Sequence, residues 1–324
     1  MKKKYPTSAF LVVTLLCNSR CVMCDIWKNK KKDLISPEIY KKLPKSLRMI
    51  DITGGEPFLR NDIVEIVKVL KETCPRARLL ITTNGFLPQK IKKQLPEIIR
   101  VDSKIAFRVS LDGLGKMHEK VRRVPQALEK VMETIEILKQ GRVKDIGIIF
   151  TLMKVNSNQL RKVYDYCKKE KLNFSLNVVH DSLVYFGKDK ICLRPNYIDV
   201  RDDFLYLIKN QIKSLKPKDW VKSWFNQQLY EYMKIHKRVL DCRAGENFFY
   251  MDSLGNVFIC QFKNWLIGNL QKSSFEDIWE FQAKNKFLPQ VKKCNDCWMM
   301  CSAKDEIKQN KGRVLKDLAK SFFG

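Results

Sequence analysis

The chain has 324 residues, 45% of them hydrophobic, and 62 Lys and Arg against 35 Asp and Glu give a net charge of +27. That length and apolar fraction suit one large core or two domains and exclude a disordered or fibrous chain. Of the 62 cationic residues 46 are Lys, spread through nearly every helix-like segment, whereas specific nucleic-acid sites favour bidentate Arg, so a solvated basic surface is expected and a nucleic-acid partner is not.

No apolar run approaches the roughly 20 residues of a membrane span. Met1-Lys-Lys-Lys-Tyr-Pro leads straight into an apolar strand without a small-residue cleavage site, so no membrane association is expected and the expected location is the cytoplasm. The 11 Cys, many at short spacings, then suggest metal ligation over disulfides.

In chain order, a first strand at 10–16 runs into Cys17-Asn-Ser-Arg-Cys21-Val-Met-Cys24. Three thiolates on one loop converge on a single metal centre, and soft ligands select zinc, copper(I) or iron–sulfur clusters. A zinc knuckle wants a fourth Cys or His nearby, but the next candidates are Cys74 and His118. A [4Fe–4S] cube held by three Cys keeps one iron open for a ligand that is not protein. Trp27 is expected to pack under this loop, with a place in the wall of a ligand pocket as the alternative.

A second strand at 49–52 precedes Gly54-Gly55-Glu56-Pro57, which alone has the composition of a turn. Strands at 79–82, 105–110, 146–151 and 174–179 follow. Thr83-Asn84-Gly85 and Ser110-Leu111-Asp112-Gly113 close the third and fourth, while Thr151 and Asn156 follow the fifth; Asn156-Ser157 also suits a helix cap. His118 and Arg122 fall where a solvated or capping role is expected. Between the strands lie helical patterns such as Ile63, Val64, Val67 and Leu70, or Leu128, Val131, Ile135 and Leu138 before a C-capping Gly141. Cys74 and Cys167 sit on such apolar stripes and are expected in the core; Cys192 has no evident place.

Six strands each followed by a helix predict a parallel α/β sheet with both faces covered. Ligands of such sheets bind at the carboxyl ends of the strands, where every motif above lies. Two helices, at about 196–215 and 217–237, connect to a hairpin signal at 248–259 around Gly255-Asn256. Cys242, Cys260, Cys294, Cys297 and Cys301 cluster in this last part. The expected division is a core at 1–195, a helical connector at 196–238, a small Cys-rich domain at 239–310 and a tail at 311–324.

The Cys loop after a first strand and Gly-Gly-Glu-Pro after a second resemble the radical S-adenosylmethionine (SAM) enzymes, with Met23 where that motif usually carries an aromatic residue. The resemblance implies an α/β fold, a partial (β/α)6 TIM-like barrel. It implies a [4Fe–4S] cluster on Cys17, Cys21 and Cys24 completed by SAM, with SAM contacts at Gly54, Gly55, Glu56, Pro57, Asn84, Ser110, Asp112, Thr151 and Asn156. One electron then cleaves SAM, and the resulting 5′-deoxyadenosyl radical takes hydrogen from a substrate.

The later Cys, with Ile267-Gly-Asn-Leu270 and Phe275-Glu-Asp-Ile-Trp279, resemble the small C-terminal SPASM and twitch iron–sulfur domains. A full SPASM domain uses seven Cys; five imply one auxiliary [4Fe–4S] cluster, on Cys242, Cys260, Cys294 and Cys297, with Cys301 spare or replacing one of the pair. A zinc site is the structural alternative there. The auxiliary cluster is expected to accept an electron in a net oxidation; an epimerisation, with a thiol such as Cys301 or Cys192 returning hydrogen, is the competing outcome.

The expected substrate is a small molecule such as a sugar, polyol or amino-sugar, oxidised or rearranged. The alternative is maturation of a ribosomal peptide or protein, against which only nine residues before the first strand leave no room for a fused recognition domain. A third is a non-catalytic iron–sulfur redox or nucleic-acid-binding protein. An acidic electron donor such as flavodoxin or ferredoxin suits the basic charge.

Overall fold

A computed structural model describes residues 5–29, 35–182, 190–280 and 282–323. Among these residues nine strands form one sheet: β1 (Ser8–Val12), β2 (Met49–Thr53), β3 (Arg78–Thr83), β4 (Ala106–Ser110), β5 (Asp145–Leu152), β6 (Asn173–Val178), β7 (Phe248–Met251), β8 (Asn256–Phe258) and β9 (Leu266–Asn269). Their order is β6-β5-β4-β3-β2-β1-β7-β8-β9. Every pairing from β6 to β7 is parallel, and β7–β8 and β8–β9 are antiparallel.

The parallel part follows from its sequence. β1 is buried at all five positions, as a central strand covered on both faces requires. In β2 and β3 burial alternates, with Ile50, Ile52, Leu79 and Ile81 buried between less covered neighbours. The apolar set packs under helices Ile63–Thr73, Pro88–Val101, Ala127–Gln140 and Leu160–Lys169; Cys74 and Cys167 lie in this core. The less covered set includes Asp51 and Thr82, which share a 2.9 Å hydrogen bond.

Three expectations change. The first strand ends at Val12 rather than residue 16, because the Thr14 hydroxyl accepts from the Leu16 amide at 3.1 Å and turns the chain. Among the described residues the β1–β2 connection holds two short 3-10 turns, Ile26–Lys28 and Pro37–Lys42, and no α-helix. The connector helices are Arg201–Ile212 and Pro217–Ile235, so Pro195 starts no α-helix.

The predicted hairpin forms as β7 and β8. Gly255 sits at φ +79 in its turn, a left-handed conformation that glycine adopts without a Cβ clash, and Asp252 accepts from the Leu254 and Asn256 amides at 2.9 Å. The hairpin continues the main sheet, since β7 lies parallel beside β1 with Ser8 opposite Phe248. Among the described residues, no helix is long and apolar enough to cross a membrane.

Candidate active site

Beyond β1 the chain runs alongside the end of β2. The Gly55 amide donates to the Thr14 carbonyl at 2.7 Å and the Glu56 amide to the Leu16 carbonyl at 2.8 Å, which fixes the approach to Cys17. A Cβ on Gly54 would stand 2.5 Å from the Thr14 oxygen, and one on Gly55 only 2.0 Å from that of Leu16. The paired glycines thus let two backbones touch, a demand visible without any ligand.

Cys17, Cys21 and Cys24 line one cavity with a volume of about 190 Å³. Gly54, Gly55, Asn84, Ser110 and Thr151 line it too; Glu56, Pro57, Asp112 and Asn156 stand behind the wall. The Glu56 carboxylate is wholly buried and accepts from the Phe58 amide at 3.1 Å, the Thr83 hydroxyl at 2.8 Å and the Asn84 amide at 2.7 Å. It holds the β3 mouth in place, and burial pushes its pKa up to about 7. The Asn84 side chain then donates to Asn18 Oδ1 at 2.7 Å and reaches Cys17 Sγ at 3.9 Å.

Asp112 and Asn156 brace the next two strand ends. Asp112 Oδ1 accepts from the Thr151 amide at 2.8 Å, and Asn156 donates to the carbonyls of Asp112 and Thr151 at 2.9 and 3.0 Å. Trp27 joins the cavity wall, with the Arg20 and Lys28 cations each 5.7 Å from its ring.

His118 and Arg122 are buried, contrary to the solvated or capping role expected of them. The reason is a tertiary pairing. Arg122 Nε lies 2.6 Å from Asp112 Oδ2 and Nη1 lies 3.5 Å from Cys21 Sγ. Ser19 Oγ is 2.9 Å from the same sulfur and donates to the Arg122 carbonyl at 3.0 Å. Burial opposes the Arg122 charge, but Asp112 and Cys21 outweigh it and raise its pKa. His118 Nδ1 accepts from the Asp112 amide at 3.0 Å, and burial, reinforced by Arg122, lowers its pKa to about 3 and keeps it neutral.

The donor set fits a cationic centre. Burial pushes Cys17 and Cys24 up to about 12, and the neighbouring Cys21 adds to both shifts. Thiols crowded in this way become thiolates together only where a metal replaces their protons. No three His, Cys, Asp or Glu among the described residues meet at one ion-sized point; in a cubane each thiolate binds its own iron, so the ligands need only surround the cluster.

The far wall comes from outside the strand-end motifs. His180 follows β6 and Met299 belongs to the C-terminal part, and both line the cavity. The Arg194 guanidinium donates to His180 Nδ1, which leaves the proton on Nε2, and burial and then Arg194 lower its pKa to about 3. Cys192 is exposed in the turn Ile191–Leu193.

The second Cys group is assembled from three segments. Cys297 and Cys242 both raise the Cys260 thiol, while Cys242 and Cys294 raise the Cys297 thiol. Burial is the largest cause of the upward shift in all four thiols, and Cys242 acts on each of Cys260, Cys294 and Cys297, which puts those three within its electrostatic reach. The Cys301 side chain falls outside the described ones. Ser19, His180, Arg238 and Met299 escaped the sequence reading, and Arg122 was expected in solvent, because only the folded chain brings them to the thiols or the cavity.

Residues 11–167 match the radical SAM superfamily, and residues 242–298 match the SPASM iron–sulfur cluster-binding domain. A probable GTP 3′,8-cyclase of Sulfurisphaera tokodaii is 26% identical over 266 residues, 78% of this chain and 80% of that protein. One from Methanococcus maripaludis is 31% identical over 168 residues, 49% of this chain and 54% of its own length, so the match spans about half of that relative. The AdoMet-dependent heme synthase of Methanosarcina barkeri is 24% identical over 296 residues, 83% of this chain and 80% of the relative.

Among solved structures, anSMEcpe with bound AdoMet and the Kp18Cys peptide has a TM-score of 0.66 at 18% identity, covering 98% of this chain and 100% of that one. Streptococcus suis SuiB bound to its precursor peptide SuiA has a TM-score of 0.65 at 20% identity, covering 86% and 65%. These likenesses establish the fold, with its [4Fe–4S] cluster, SAM and auxiliary iron–sulfur chemistry coming from the matched domains. The chain belongs to the radical SAM enzymes and carries a C-terminal SPASM-type domain.

Proposed function

We propose that this radical SAM enzyme oxidises a peptide or protein substrate, with Cys17, Cys21 and Cys24 holding the [4Fe–4S] cluster and Gly54, Gly55, Asn84, Ser110 and Thr151 surrounding SAM. The observation that carries the site assignment is one cavity touching all three thiols, the ends of β2, β3, β4, β5 and β6, and Met299 of the C-terminal part. Glu56, Pro57, Asp112 and Asn156 act from behind, keeping those mouths in register. Cluster and SAM, when bound, supply hydrogen-atom abstraction from an unactivated C–H bond. The protein's own work is to hold Cys21 through Ser19 and Arg122, and to keep water out with Met23, Ile26, Trp27 and Met299, which line the cavity. His180, neutral and fixed as the Nε2 tautomer, adds a donor on the far wall.

A net two-electron oxidation needs a seat for the second electron, and Cys242, Cys260, Cys294 and Cys297 would hold it as one auxiliary cluster; the SPASM match starts at Cys242 and ends just past Cys297. The functional division is then a core at 1–195, a connector at 196–238 and a cluster unit at 239–310. Support for a peptide comes from the two peptide-bound neighbours of the same fold. Nothing in these relatives supports the sugar oxidation expected from sequence. A nucleotide or tetrapyrrole substrate is the second reading, favoured by the GTP 3′,8-cyclase and heme synthase relatives.

The test is anaerobic reconstitution with dithionite and SAM, offering a synthetic peptide mixture, GTP or iron coproporphyrin separately. Formation of 5′-deoxyadenosine coupled to a peptide that loses two hydrogens is expected. Coupled turnover of GTP or the porphyrin alone would replace the peptide reading with the second one.

A further inference from the structure

Arg238 stands beside the second Cys group much as Arg122 stands beside the first. It is 9% exposed, and its Nη1 donates to the Cys297 carbonyl at 2.6 Å and to Ser302 Oγ at 3.0 Å, and reaches Cys297 Sγ at 3.7 Å. Nη2 donates to the Ser302 carbonyl at 3.3 Å and Nε to the Leu240 carbonyl at 3.1 Å. Its guanidinium lies 5.3 Å from the Trp298 ring centroid, and Phe225 stacks on that ring at 5.8 Å.

The partners differ in one respect. Arg122 is ion-paired with Asp112 at 2.6 Å, whereas the groups that Arg238 meets among the described residues are carbonyls, a hydroxyl, an aromatic ring and a cysteine sulfur. The carboxylates that act on Cys242, Glu306 and Glu246, both pair with Arg243, at 3.2 and 2.9 Å. Asp296, which acts on Cys294, pairs with Lys263. Arg238 therefore brings a buried positive charge to the second Cys group with no carboxylate of its own, while the charge at Cys21 is answered by Asp112.

We propose that Arg238 is a positioning residue that raises the reduction potential of the auxiliary cluster above that of the N-terminal one. Positive charge and donors to ligand sulfurs favour the reduced cluster, which carries one more electron. The ordering makes the auxiliary cluster the place where an electron given up by substrate comes to rest. This rests on the ligand assignment proposed above.

The experiment is a potentiometric titration, followed by electron paramagnetic resonance, of the reconstituted full chain. Cys17, Cys21 and Cys24 are replaced by Ala so that only the auxiliary signal remains. Arg238→Gln is expected to lower the equilibrium constant for reduction at least tenfold, ~59 mV for a one-electron couple, and Arg238→Lys to restore most of it. Full iron content with an unchanged potential in Arg238→Gln overturns the proposal. If that variant loses iron, Ser302→Asp decides, because it gives Arg238 the carboxylate it lacks while keeping the guanidinium; an unmoved potential there overturns it equally. A Cys297→Ala chain that keeps an unaltered auxiliary signal would instead overturn the ligand assignment.

Discussion

The two Cys groups are built in different ways. The first three thiols lie within eight residues, 17–24, on a loop tied by backbone bonds to the Gly54–Glu56 segment beside it. The other four come from three segments around residues 242, 260 and 294–297, drawn together by side chains such as Arg238 and by the hairpin. A loop held by its neighbour's backbone depends on the absence of side-chain atoms; a site gathered from afar depends on their presence. Damage to one should therefore leave the other standing.

The largest effect comes from Gly55→Ala, whose Cβ would overlap the Leu16 carbonyl 2.0 Å away. Both partners are backbone, so the loop must move. 5′-Deoxyadenosine formation should fall to background while the auxiliary iron signal persists; loss of both signals would break the independence of the two sites. Next, Cys242→Ala or Cys294→Ala should abolish product and leave 5′-deoxyadenosine detectable by chromatography. Product at the normal rate would remove the auxiliary group from the reaction.

Arg122→Met probes the charge balance itself. It leaves the Asp112 carboxylate buried without its cation, and breaking a buried pair in this way costs about 3–5 kcal/mol. Urea unfolding of the metal-free chain should register that loss, with Arg122→Met and Asp112→Asn together losing less than the two alone add up to.

The smallest effect concerns Glu56. Its folded pKa of about 7 lies above the ordinary 4.5, so its protonation lends stability that is complete below 4.5 and lost as pH rises through 7. The stability gap between the metal-free wild type and Glu56→Gln should shrink over that interval. A gap constant from pH 4.5 to 8 would show that Glu56 stays ionised throughout and that its three donors outweigh burial.

Much of the site could be read from residues close in sequence. The spacing of Cys17, Cys21 and Cys24, the six alternating strand runs and the Gly255 turn are local signals, and the fold contains the elements they predict, with ends shifted by a few residues. Pairings across the fold left no such trace. Nothing in the helix pattern at 116–122 says which face Arg122 occupies, and a solvated Arg was the natural expectation until Asp112 closed over it. Likewise Gly54 and Gly55 read as a ligand cradle, although the structure first demands them for contact with Thr14 and Leu16. The place of β7 was invisible as well, because a four-residue apolar run is equally suited to a separate hairpin.

The pairing of β7 with β1 has a bearing on biosynthesis. β1 is completed at residue 12, but the neighbour on its outer side arrives only with residues 248–251. Until then an apolar five-residue edge waits with unpaired amides and carbonyls, the kind of edge that recruits strands from other chains. The ribosome must deliver the whole stretch from residue 13 to residue 248 before that edge is sealed. Truncated or stalled products should therefore be aggregation-prone, and the yield of intact protein should respond to chaperone supply more than the stability of the finished fold would suggest.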